Sequence, residues 1–189
     1  MKGCRALTPA EARAIRKHLA PHHRAWFSIG LATGYRISEI LGLTPADIGG
    51  KKHGEKYRVY VPKERMKGST RGRYAFLDAQ AVNDLKRHRA TSARSRTTSN
   101  SSNAKLFPCC RKTAHQVIIA AARAAGIKDL KGIGTHSLRK TFAARAYRTL
   151  DKNISFVQSV MGHADMRNTI RYLRECETEY LWKRLQKPN

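Results

Sequence analysis

Arg36, His136, Arg139, His163 and Tyr172 are residue types that together can hold a phosphodiester and attack it with a phenol. They sit in Thr33-Gly34-Tyr35-Arg36-Ile37-Ser38-Glu39, in His136-Ser137-Leu138-Arg139, and in Gly162-His163 followed nine residues later by Tyr172. An arginine fork matches two phosphate oxygens at once. Gly34 lets the chain turn ahead of Arg36, and Glu39, three residues on, is placed to orient it. His136 and Arg139 are spaced to share a helix face, and Gly132-Ile133-Gly134 suits a loop entering a helix N-terminus, where anions are favoured. Tyrosine, with a pKa of about 10, needs cationic neighbours to act as a nucleophile near neutral pH. Each piece taken singly has a plainer reading: a solvated arginine, a capping histidine, a tyrosine at the core edge. Tyr147 and Tyr180 take that plainer reading.

The elements that must position these residues are mostly helical. Thr8 with Glu11 forms a capping box ahead of Pro9, and the pattern predicts a helix over 8–20. His22 to Thr33 reads as an apolar helix stopped by Gly34, and Ser38 to Leu43 as a short helix ended by Thr44-Pro45. Asp47 to Glu55 holds three glycines and reads as a turn region. The period then changes: Tyr57 to Val61 and Arg73 to Leu77 alternate as strands of a hairpin or small sheet, with Lys67 at its tip. Further helices are expected over 79–90, 112–125, 137–149, 153–161, 165–173 and 177–186. Residues 91–104, rich in Ser, Thr, Asn and Arg without periodicity, read as a flexible loop. The expected fold class is α+β: mostly α with a small antiparallel sheet, in one domain spanning 1–189.

Charge bounds the partner. Lys and Arg number 38 against 13 acidic residues, a net +25 over 189 residues, spread from Arg5 to Lys187. A folded domain this basic repels itself unless a polyanion is its normal partner, and the usual polyanion is nucleic acid. A ribosomal-type binder and a membrane-surface protein are the bland alternatives. No apolar run approaches the roughly 20 residues of a membrane span, and no signal peptide follows Lys2 and Arg5, so the expected location is the cytoplasm, with the nucleoid. Cys4, Cys109, Cys110 and Cys176 lack zinc-ligand spacing and read as free thiols. No metal site and no cofactor is expected.

In order along the chain, Thr-Gly-Tyr-Arg-Ile-Ser-Glu, the hairpin lysine, His-Ser-Leu-Arg, Met-Gly-His and Thr-Ile-Arg-Tyr-Leu resemble the tyrosine recombinase (phage integrase) family from about Leu7 to Leu173. The individual motifs are weak; five in order, with the nine-residue step from His163 to Tyr172, are specific. The resemblance implies the catalytic-domain fold of the DNA breaking-rejoining enzymes. It implies that Arg36 and Arg139 clamp the scissile phosphate, that His136 is an acid/base partner and His163 a second donor, and that Tyr172 is the nucleophile forming a 3′-phosphotyrosine. It also implies that Lys67 protonates the leaving 5′ oxygen, with Lys63 or Arg71 as alternatives on the same hairpin. Neither metal nor ATP is implied. The partners implied are double-stranded DNA, a homo-tetramer on paired sites and an accessory DNA-bending protein, without membrane. Most relatives carry a separate N-terminal helical domain, and none is expected here. Residues 174–189 form a tail whose segment 177–186 packs either in trans on a neighbouring protomer or back on its own domain. Two rival readings share the fold: a type IB topoisomerase, and a catalytically silent DNA-binding module.

Overall fold

A computed structural model describes residues 4–49, 57–66, 71–95 and 104–173. The chain begins with α1 (Pro9–Lys17), α2 (Pro21–Thr33) and the short α3 (Ile37–Leu41). Strands β1 (Ile48–Gly49), β2 (Arg58–Val61) and β3 (Arg73–Phe76) follow, then α4 (Ala79–Ser95), α5 (Arg111–Ala124), α6 (Thr135–Thr149) and α7 (Ile154–Met161). Residues 166–173 are helical and are called α8. The expected helix over 177–186 and the C-terminal tail lie outside the described residues.

The capping box predicted at Thr8 forms: the Glu11 N–H donates to Thr8 Oγ1 at 3.2 Å, and the Thr8 N–H to Glu11 Oε2 at 2.8 Å. Arg5 adds a salt bridge to Glu11, and its hydrogen bond is the main reason the Glu11 carboxyl is pulled down to about 2. The Arg5 N–H also donates to Gly132 O at 2.7 Å, and the Leu7 N–H to Thr141 Oγ1 at 2.8 Å. The N-terminal segment is thereby fastened across the start of α6.

Helix α2 is the hub. Ala25, Trp26, Phe27, Ile29 and Ala32 are all buried, so it is apolar nearly all round, as a helix enclosed by others must be. It packs on α4, α6 and α3. A Cβ at Gly30 would come 2.8 Å from Leu138 Cδ1, so this glycine sets how closely α2 and α6 approach. The fully buried Asp84 carboxylate of α4 accepts from Arg16 of α1 at 2.7 and 2.5 Å and from Ser28 of α2 at 2.6 Å. One satisfied buried charge thus joins three helices.

The sheet is antiparallel in the order β1-β2-β3, with Ile48 opposite Val59 and Val61 opposite Arg73. The two predicted strands pair as β2 and β3 in the small sheet expected, and β1 adds a third strand. Two residues are too few to show alternation, which is why β1 reads as part of a turn. Val59 and Val61 face the core while Tyr74 and Phe76 are exposed, and the register places Arg73 on the inward side. Helix α4 runs on to Ser95, into the segment expected to be a loop from Thr91. There Thr91 donates back to Arg87 O at 2.9 Å, and Ser92 Oγ lies 3.3 Å from His88 Nδ1. No helix among the described residues is long and apolar enough to cross a membrane.

Two apolar clusters result. The larger spans α1 to α6 and the sheet; the smaller joins Ala143 of α6, Val157 and Met161 of α7, and Leu173 of α8. Gly34, at the C-terminus of α2, has φ +63°, and a Cβ there would overlap the Phe142 ring. Gly34→Ala is therefore expected to destabilise the fold by about 2 kcal/mol or more, from left-handed strain plus overpacking. Denaturant unfolding measures it, and an unchanged midpoint would refute the assignment.

Candidate active site

The candidate residues converge on the seam between the two clusters. Arg36 is the N-cap of α3. Its N–H donates to Glu39 Oε2 at 2.7 Å and its Nη1 to Glu39 Oε1 at 2.8 Å. Glu39 is buried while the Arg36 side chain is 30% exposed, so the carboxylate anchors the arginine from beneath and leaves an accessible face. This is the orienting role read for Glu39 from its spacing. Tyr35 fixes the same turn from the other side. It is fully buried, and its hydroxyl lies 2.6 Å from Arg73 O and 3.1 Å from Val59 O, tying the turn to both β3 and β2. Burial pushes its phenol up to about 12, so it is a neutral strut.

His136 and Arg139 both lie on α6, which starts at Thr135, so His136 is inside the first turn. That turn is fixed by Ser137, whose Oγ accepts from the Gly134 N–H at 3.1 Å and donates to Gly132 O at 3.2 Å. Arg139 is only 1% exposed. Its Nη1 donates to Gly34 O, and its Nη2 donates to Met161 O at 2.8 Å. Burial, then the charges of Arg36 and Arg73, lower its pKa to about 10, which still leaves it protonated at neutral pH. His136 is exposed. Partial desolvation, then the charges of Arg139 and Arg36, push its pKa below the ordinary histidine value.

His163 follows Gly162, the left-handed C-cap of α7 at φ +62°. Its Nδ1 lies 2.9 Å from Thr169 Oγ1, and its carbonyl accepts from Gln158 Nε2 at 3.0 Å. Desolvation, then the charges of Arg139, Arg36 and Arg73, push it down to about 4. The ring is neutral at pH 7, and the Thr169 hydroxyl engages its Nδ1 side. Tyr172, on α8, packs edge-on against His163 with ring centroids 5.4 Å apart, and Lys140 Nζ stands 5.6 Å from its ring centroid.

The structure therefore brings Arg36, His136, Arg139, His163 and Tyr172 together. Lys67 lies outside the described residues. The last described residue before it, Met66, is buried, and its Cε is 3.8 Å from where a Cβ on Gly162 would stand. The two alternatives, Lys63 and Arg71, are both exposed. Sequence reasoning missed Arg73, Thr169 and Lys140. Alternation from Arg73 to Leu77 does not say which face is inward; the pairing of Arg73 with the buried Val61 does. Nothing in the sequence marks Thr169, whose hydroxyl reaches back to His163.

The sequence profile of the phage integrase family matches residues 5–179. The chain belongs to the phage integrase family. Among curated relatives it is 32% identical over 158 residues to "Tyrosine recombinase XerD" of Mycobacterium tuberculosis, covering 82% of this chain and 48% of that protein. It is 29% identical over 154 residues to "Probable integrase/recombinase YoeC" of Bacillus subtilis, covering 78% and 74%. Among solved structures, the XerH site-specific recombinase bound to its difH substrate in a pre-cleavage complex matches at a TM-score of 0.71 and 20% identity, over 96% of this chain and 54% of that one. The chain thus spans about half the length of the XerD and XerH proteins it matches, and the likeness to XerH establishes the fold.

In this phage integrase domain the enclosure of His163, together with the field of the guanidiniums, has a measurable consequence. His163 has a folded pKa of about 4 against an ordinary 6.5. Between these values the unfolded chain binds the extra proton, so stability rises with pH across that window and falls as pH drops from 6.5 through 4. NMR titration of the DNA-free protein is expected to show His163 titrating near 4; a midpoint near 6.5 would mean the ring is neither enclosed nor in the cationic field.

Proposed function

We propose that this integrase domain cuts and rejoins duplex DNA site-specifically through a covalent 3′-phosphotyrosine, without metal or ATP. The observation that supports this most is the placing of the Tyr172 ring against a neutral His163, in the field of two clustered arginines. On this reading, Arg36 and Arg139 hold the non-bridging oxygens of the scissile phosphate and stabilise the pentavalent transition state. Two of the Arg139 N–H groups donate to carbonyls and fix its fork; on this reading others of its five meet the phosphate. His163 donates from Nε2 to a phosphate oxygen.

The Tyr172 oxygen attacks phosphorus, and its proton passes to His136, whose depressed pKa leaves it an acceptor at neutral pH. The phosphorus–O5′ bond breaks, and Lys67 protonates the leaving oxygen. The 5′-hydroxyl of a partner strand then attacks the phosphotyrosine, with the proton transfers reversed. Phosphodiester energy is kept in the covalent link, so no nucleotide is consumed. Guanidinium groups supply the positive charge, and the neutral His163 imidazole a hydrogen bond, in place of the Mg²⁺ of other phosphoryl transfers. Two strands on each of two sites require a homo-tetramer on paired DNA. An accessory DNA-bending protein would bring the sites together, and the nucleoid is the compartment where that substrate lies.

The test uses a duplex nicked near its recombination site, so that cleavage releases a short fragment and traps the adduct. Wild-type protein in excess EDTA is expected to give a covalent protein–DNA band on a denaturing gel, and Tyr172→Phe to bind without forming it. Adduct from Tyr172→Phe would contradict the assignment of the nucleophile. Relaxation of supercoils by wild type without recombinants would favour the topoisomerase reading instead.

Charge gives an independent check. Binding to duplex is expected to weaken steeply with salt, each neutralised phosphate adding roughly 0.9 to the log–log slope. A nearly flat dependence, measured by anisotropy titration, would exclude a DNA-clamping surface.

A further inference from the structure

Arg73 is a buried cation to which the reading above gives no role. It opens β3, is 9% exposed, and among the described residues forms no ion pair with a carboxylate. Its guanidinium lies over the Tyr35 ring, 4.1 Å from the centroid. Its Nη2 donates to Thr33 O at 3.3 Å and its Nη1 to Val160 O. Its Cδ lies 3.1 Å from where a Cβ on Gly162 would stand, so glycine there makes room for it.

The partners of Arg73 adjoin those of Arg139 along the chain. Arg139 bonds Gly34 O and Met161 O; Arg73 bonds Thr33 O and Val160 O. Two guanidiniums, one from α6 and one from β3, therefore staple the same two chain ends. One end leads into Arg36, the other into His163. A single arginine contacts one carbonyl on each turn and leaves rotation about that line free. A second one, bonded to the adjoining carbonyls, removes that freedom. The arrangement has an electrostatic cost, since burial and the charge of Arg36 both lower the Arg73 pKa. A lysine would carry the same charge but not the planar fork that spans two carbonyls.

We infer that Arg73 is a positioning residue: with Arg139 it forms a double staple that holds the Arg36 turn and the His163 turn at the spacing one phosphodiester requires. This rests on the recombinase reading for its consequence in cleavage, but not for the geometry it fixes. Removing the staple is expected to spare DNA binding and impair the chemical step, because a shift of about 1 Å between catalytic groups costs on the order of 100-fold in rate.

The experiment compares wild type, Arg73→Gln, Arg73→Lys and Arg36→Ala on the nicked duplex, measuring Kd and the single-turnover adduct rate at saturating protein. It is repeated on a substrate whose scissile phosphate is a methylphosphonate and so carries no charge. Arg73→Gln and Arg73→Lys are expected to bind like wild type and to form adduct on the order of 100-fold more slowly. Arg36→Ala, whose lost guanidinium faces the phosphate, is expected to recover relative to wild type on the uncharged substrate; the Arg73 variants are not. Recovery by Arg73→Gln would make Arg73 a direct phosphate ligand and overturn the inference. So would a wild-type rate in either Arg73 variant, or a loss confined to binding. If Arg73→Gln does not fold, Arg73→Lys decides alone by the same criteria.

Hydrogen exchange in the DNA-free variants keeps the inference testable should wild type form no adduct, a result that would sink the recombinase reading by itself. Exchange is expected to accelerate at the Arg36 and His163 amides and not in the middle of α2. Uniform acceleration would show a general loss of stability, and no change at either turn would show that Arg73 holds neither.

Discussion

The arrangement depends on two buried guanidiniums bonded to main-chain carbonyls. Taking an arginine out of water costs several kcal/mol, and in this interior neither Arg73 nor Arg139 has a carboxylate at salt-bridge distance among the described residues. Charge-assisted hydrogen bonds to carbonyls offset part of that cost, at about 1.5–3 kcal/mol each. The carbonyls are free to accept because they lie where helices end. Gly34 closes α2 and Gly162 closes α7, both in the left-handed conformation, and a helix end leaves its last carbonyls without intrahelical partners. Helix termination thus supplies acceptors, the arginines bind them, and the residues just beyond each end, Arg36 and His163, are fixed as a result.

The remaining structure supports this seam. Helix α2 is buried so that its C-terminus is held still, and Gly30 lets α6 lie close enough for Arg139 to reach Gly34 O. Tyr35 and Arg73 bind the sheet to the same turn. The smaller cluster of α6, α7 and α8 holds Tyr172 against His163. Excess positive charge does not disperse here, because among the described residues Glu39 is the carboxylate acting on the clustered arginines, and it lies beneath Arg36. Burial first, and the neighbouring guanidinium charges after it, hold the histidine and arginine pKa values down, so an anionic group placed among these side chains would be favoured.

Much of this was legible in the sequence, for identifiable reasons. The Thr8 capping box, the Gly34 and Gly162 stops and the alternation of Tyr57–Val61 are local signals, and local structure followed them. The grouping of Arg36, His136, Arg139, His163 and Tyr172 was legible through motif order and the nine-residue step. What the sequence did not disclose depends on register or on distance in space. Arg73 is one basic residue among several until the pairing with Val61 turns it inward. Thr169 is an ordinary helical threonine until α8 folds back on the turn after α7. The length of α4 was hidden because serine and threonine read as loop formers, while here their hydroxyls bond back along the helix.

Tyr172 is the proposed nucleophile in a covalent attack on DNA. The most direct measurement is mass spectrometry of the protein after reaction with its duplex and exhaustive nuclease and protease digestion. The account predicts a nucleotide joined through its 3′ phosphate to the peptide containing Tyr172. Attachment at another side chain, or a cleaved strand with every peptide unmodified, would contradict it.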